Sequence, residues 1–174
     1  MPAEECPFEA IAMDLVDKLS ESEEFNEILV IMNRFTKVQP YIPAKTTWTA
    51  ADIANVYVNE IWRLYGLLRH IASHYGTQFS FKFPKERNKK LGIILRLSTA
   101  HHPQSDRLSE EAVQTMKQYL RIYCHDRQSS WRAWLPLAEF AYHATNASTH
   151  KYSPCRSLQG FASRIIPVSY NFEF

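Results

Sequence analysis

Two carboxylates and an imidazole stand where they could serve one reaction centre: Asp14 in IAMDLV, His74 in IASHYGTQF and Glu110 in HHPQSDRLSEE. Asp14 falls in an apolar, strand-like run and His74 just after another. Glu110 opens a helical segment, with 35 residues between it and His74. This layout suits phosphoryl transfer assisted by divalent ions, in which water or a 3′-hydroxyl attacks a phosphodiester in line. Two ions about 3.5–4 Å apart would stabilise the attacking and leaving oxygens. An ionisable side chain inside an apolar strand needs a partner or a metal, so Asp14 is read as a ligand ahead of a buried, hydrogen-bonded carboxylate.

The elements that must position these residues follow from hydrophobic pattern. IAMDLV and NEILVIMNRF read as strands rich in apolar and β-branched residues. KVQPYIPA reads as a third, with Pro40 and Pro43 pushing it to the edge of a sheet. Thr49 is a helix N-cap for the segment to Tyr65, in which Ile53, Val56, Tyr57, Ile61 and Leu64 share one face, and Gly66 ends it. LLRHIAS reads as a strand that leaves His74 at its C-terminal edge. Residues 78–90 read as a basic helix closed by Gly92, IILRLS as the last strand, and the segments from Ser105 to Cys124 and Ser130 to Ala144 as helices. The tail after Ser153 reads as irregular. The sum is an α/β domain on a mixed sheet.

Composition bounds the possibilities. Hydrophobic residues at 45% and charged residues at 22% are ordinary for a globular fold. No apolar run approaches the ~18 residues of a membrane span, and MPAEECPFEA lacks the basic-then-apolar layout of a secretory signal. Cys6, Cys124 and Cys155 are far apart, which favours free thiols in a reducing compartment over disulfides or a zinc site. Residues 1–33 carry a net charge of −8 and the remainder +10, a distribution that suits a nucleic-acid surface around a carboxylate-lined centre.

In order and spacing, IAMDLV, ILVIMNRFTK, IASHYGTQF, LSTAHHPQSDRLSEE and WLPLAEFAYHATNASTHKYSP resemble the integrase catalytic core of gypsy-type LTR retrotransposons, within the ribonuclease H-like superfamily. The resemblance covers residues 8–166 and leaves 167–174 as a truncated tail. It implies a ribonuclease H-like mixed five-stranded sheet flanked by helices. It also implies Mg²⁺ or Mn²⁺ as cofactor, DNA (element ends and target) as partner, a possible homodimer, and an intracellular, nuclear setting with no membrane. The family pattern places catalytic, metal-binding carboxylates at the positions of Asp14, His74 and Glu110; the second is histidine here. Arg107 and Leu108 replace a glycine-glutamine pair, and Asn33 replaces an aspartate that is not a metal ligand in the family. The family's amino-terminal HHCC zinc pattern and its carboxy-terminal DNA-binding domain are not found in these 174 residues.

His74 lowers the site's charge from −3 to −2, and its imidazole is partly protonated near pH 7. It is also a softer ligand than Mg²⁺ prefers. The substitution therefore predicts weakened metal binding and a degenerate active site. Asp106, one helical turn before Glu110, is a compensating candidate, as is a nitrogen-rich site formed by His101, His102 and His74; surface or hydrogen-bonded histidines are the plainer reading. For nucleic acid, Gln114, Lys117 and Arg121 recur at helical spacing after Glu110. Lys82, Lys85 and Lys89, with Arg87 and Lys90, form a second basic patch. Either could equally be a solvated face. Trp131, Trp134, Leu135, Leu137, Phe140 and Ala141 read as a core or dimer face. The alternative to an enzyme is a non-catalytic nucleic-acid-binding or dimerisation module that keeps the fold.

Overall fold

The computed structural model describes residues 10–66, 70–73, 77–91, 106–125, 127–146 and 152–163; for 70–73, 77–81 and 106–112 it describes the backbone alone. Strands β1 (Ala10–Val16), β2 (Glu27–Asn33) and β3 (Tyr41–Ala44) form an antiparallel meander, and β4 (His70–Ser73) joins β1 in parallel. The order is β3-β2-β1-β4, a mixed sheet of four strands among the described residues. The expected fifth strand, IILRLS, and Gly92 lie outside them.

Every residue of β2 is buried because helices cover both faces. Alternation along the strands divides the core. Ile11, Met13, Leu29 and Ile31 pack on one side with Ile53, Tyr57, Ile61 and Phe83. Val16, Ile28 and Val30 pack on the other with Val113, Met116, Leu120, Trp131, Leu135 and Ala138. The first layer is built by α1 (Ala50–Val56) and α3 (Thr77–Lys90), the second by α4 (Asp106–Tyr123) and α5 (Trp131–Ala144).

Thr49 caps α1 as expected. Its hydroxyl accepts from the Asp52 N–H while the Asp52 carboxylate accepts from the Thr49 N–H at 2.7 Å, satisfying donors that the first turn leaves open. The helix then departs from expectation. Tyr57–Trp62 form a π-helical stretch before α2 (Arg63–Tyr65). Its wider turn rotates later side chains away from the α-helical face. Ile53, Tyr57 and Ile61 are buried, whereas Leu64, expected on the same face, is 57% exposed. Gly66, at φ 78°, ends the helix.

The tail after Ser153 is not irregular throughout. Pro154–Gln159 form a short helix, α6, with the Ser153 hydroxyl accepting from the Arg156 N–H and Gly160 left-handed at φ 85°. Serine before proline at the start and glycine after the end are the signals that mark it.

Candidate active site

Asp14 lies in the middle of β1, opposite Val30 of β2. It shares alternation with Ala12 and Val16, so it belongs to the sheet face covered by α4 and α5. It is half-buried, and its Oδ1 accepts from the Leu15 N–H at 2.9 Å. On the other flank, β1 pairs with β4 from Ala10↔His70 to Met13↔Ser73, so Asp14 follows the last described pair by one residue. His74, the residue after Ser73 in the chain, lies outside the described residues, as do His101 and His102. Glu110 and Asp106 are in the backbone of α4, Glu110 three residues before Val113, which is buried towards the sheet; their side chains lie outside what is described.

The structure thus brings the Asp14 strand, the end of β4 and the α4 layer together. A carboxylate is the hard oxygen donor that Mg²⁺ or Mn²⁺ takes, and the Leu15 contact orients it. In that respect Asp14 fits a divalent ion. Among the described residues no three His, Cys, Asp or Glu side chains gather as a metal site.

A second acidic pair is unrelated to Asp14. Burial pushes the Glu27 carboxyl up, and the nearby Asp17 charge adds to it. Glu27 alternates with Leu29 and Ile31 and so belongs to the α1/α3 face.

The two basic stripes separate in the same way. Gln114, Lys117 and Arg121 are exposed on α4, in the layer that covers Asp14. Lys82, Lys85 and Lys89 are exposed on α3, which packs against α1 in the other layer. Arg87 is half-buried there: its guanidinium sits 6.0 Å from the Tyr57 ring centroid and its Nε donates to Asn88 Oδ1.

The segment expected to be a core or dimer face divides. Trp131 and Leu135 are buried, while Trp134, Leu137 and Phe140 are 37%, 42% and 42% exposed. Trp134 stacks on Tyr123 of α4 at 5.6 Å.

Solved structures with this arrangement include integrase catalytic cores. The human T-lymphotropic virus HTLV-2 integrase catalytic core domain, in complex with magnesium in a trimeric form, superposes with a TM-score of 0.64, covering 88% of this chain and 98% of that one at 15% identity. The BIV integrase catalytic core matches with a TM-score of 0.60 over 86% of this chain and 92% of that one, at 21% identity. The fold is that of an integrase catalytic core. A chain of the simian T-cell lymphotropic virus intasome in complex with PP2A regulatory subunit B56 gamma also matches, with a TM-score of 0.65 over 97% of this chain and 59% of that one, at 17% identity. In sequence, the chain is 26% identical over 166 residues, 90% of its length, to the Transposon Tf2-3 polyprotein of Schizosaccharomyces pombe. The chain spans 12% of the length of that curated relative. No family model matches the chain.

Sequence reasoning missed one polar constellation, on α5. Glu139 Oε2 accepts from the Tyr41 N–H at 3.0 Å, and His143 Nε2 accepts from the Gln39 N–H at 2.9 Å. Burial pushes the Glu139 carboxyl up. Burial likewise pushes the His143 imidazole down to about 4 and the neighbouring Tyr142 hydroxyl up to about 12. The only advance signal was a glutamate and a histidine four apart on a helix.

Proposed function

We propose that residues 8–166 are the catalytic-core domain of a gypsy-type retroelement integrase, with Asp14, His74 and Glu110 in the positions of its metal-binding triad. One observation carries the reading: a half-buried carboxylate in mid-β1, on the face covered by the glutamate-bearing helix, within an integrase-core fold. Mg²⁺ or Mn²⁺ held by Asp14 and Glu110, with His74 as the third donor, would supply charge stabilisation for attack on a DNA phosphodiester. The exposed Gln114, Lys117 and Arg121 lie in the layer that covers Asp14 and suit DNA leading into that face; Lys82, Lys85 and Lys89 suit a second backbone contact on the opposite layer.

His74 makes this a weakened centre: a neutral or partly charged imidazole replaces a hard anionic donor. The test is strand transfer on a duplex end with Mg²⁺ and with Mn²⁺, comparing the natural chain with His74→Asp. Activity gained by His74→Asp and lost again on adding Asp14→Asn supports the reading. Equal inactivity of all forms, with equal weak metal binding by calorimetry, overturns it.

A second reading is a non-catalytic DNA-binding or dimerisation module, and the exposed Trp134, Leu137 and Phe140 on α5 favour it. Salt-dependent DNA binding with no cleavage by either the natural chain or His74→Asp would support it.

A further inference from the structure

Among the described residues, the outer edge of the sheet is closed by side chains rather than by a strand. β3 is the edge strand, and residues 38, 40 and 44 turn their backbone towards β2: Asn33 N–H donates to Val38 O, Ile31 N–H to Pro40 O and Asn26 N–H to Ala44 O. Alternation therefore points the backbone of residues 39, 41 and 43 outwards. Position 43 is proline and has no N–H. The other two outward donors go to α5, Gln39 to His143 and Tyr41 to Glu139. The spacing matches: two residues of strand rise about 6.6 Å, and four residues of helix about 6 Å.

We propose that Glu139 and His143 are an acid-sensitive latch that closes the outer edge of β3 against pairing with another strand. His143 accepts through Nε2, so the ring is neutral and its proton sits on Nδ1, 4.0 Å from Glu139 Oε1. A proton added at Nε2 turns the acceptor into a donor facing the donor of Gln39, and the contact opens. Among the described residues, Tyr41 from the strand, Tyr142 beside His143, Glu60 and Tyr65 from the α1–α2 helix and Arg132 across the cavity face the pair, and Tyr119 from α4 faces Tyr41 and Tyr142. Tyr41, Tyr65 and Tyr142 are phenols that burial raises further, so they do not titrate in the acid range. Both latch residues line an open cavity of about 400 Å³, which gives protons a route to them.

Amide hydrogen exchange on the full chain, read between pH 7 and pH 3.5 and normalised for intrinsic rates, tests this. Gln39 is expected to be protected at neutral pH and to lose about tenfold of that protection when the contact opens, while β1–β2 ladder amides stay protected. His143→Ala is expected to remove Gln39 protection at pH 7 and leave Tyr41 protected. His143→Gln, which keeps an acceptor without titrating, is expected to retain protection at both ends of the range. Gln39 protection that is unchanged by acid or by His143→Ala overturns the latch. If His143→Ala does not fold, the ring nitrogens of the natural chain decide: a protonated Nε2 at neutral pH overturns it, and a protonated Nδ1 supports it.

Discussion

Asp14 and Glu139 are both carboxylates partly withdrawn from water on the same side of the sheet, yet their surroundings make them opposites. Glu139 is committed to the backbone: its oxygen satisfies Tyr41 N–H, and its neighbour four residues on satisfies Gln39 N–H. Asp14 sits on a central strand paired with β2 on one flank and, up to Met13, with β4 on the other, and its Oδ1 accepts from the adjacent Leu15 N–H. A carboxylate that the fold uses is a structural group. One whose described contact stays within its own strand, on the face covered by the glutamate-bearing helix, is a candidate for chemistry. Residue type alone does not separate the two.

The sharpest way to test that contrast is pH. His143 is held down to about 4 from an ordinary 6.5 by burial, so between those values the unfolded chain binds a proton that the folded chain refuses. Stability from this group therefore falls as pH drops through the window, by on the order of 3 kcal/mol in all. Glu139 has the opposite sign: its folded carboxyl is raised above 4.5 by burial, so its contribution declines as pH rises from about that value. Chemical denaturation of the natural chain against His143→Gln isolates the histidine term, and equal pH profiles would remove it. Glu139→Ala should cost about 2 kcal/mol, because it strands a backbone donor. Asp14→Asn should cost less, about 1 kcal/mol or below, because asparagine keeps an Oδ1 acceptor for the Leu15 N–H. A larger stability loss at Asp14 than at Glu139 would reverse the comparison.

Metal binding reverses the ranking. His74→Asp is expected to tighten Mg²⁺ binding by about tenfold or more, read by calorimetry, and Glu139→Gln to leave it unchanged. The smallest effects belong to the basic stripes. Each alanine at Lys117 or Arg121, or at Lys82, Lys85 or Lys89, should reduce the slope of log DNA affinity against log salt by about 1 where that residue meets a phosphate. Loss confined to the α4 residues would assign DNA to the Asp14 face alone.

Much of this was legible in the sequence, for local reasons. The Thr49 capping box, the stop at Gly66, the edge character conferred by Pro40 and Pro43 and the basic helix before residue 91 are set by residues within a few positions of one another. What was not legible depends on distant contacts or a change of helical period. Leu64 falls on the buried face only if an α-helical phase runs through Tyr57–Trp62, where the turn is π-helical. The α6 helix was missed although Ser153, Pro154 and Gly160 delimit it. The Glu139 and His143 contacts reach across 98 and 104 residues, beyond any local pattern. Asp14 stood out because a charge in an apolar strand is anomalous on its face, whereas Glu139 looked like an ordinary helical glutamate.

The β3 edge also has a place in time. The β1–β2–β3 meander closes short loops, so its hairpins can form early, whereas α5 is contributed by chain that lies about a hundred residues further on. Until that helix docks, Gln39 and Tyr41 present unpaired donors on a freshly made, largely apolar sheet. An open strand edge of that kind is a template for pairing with another chain, and the arrival of two side chains removes it.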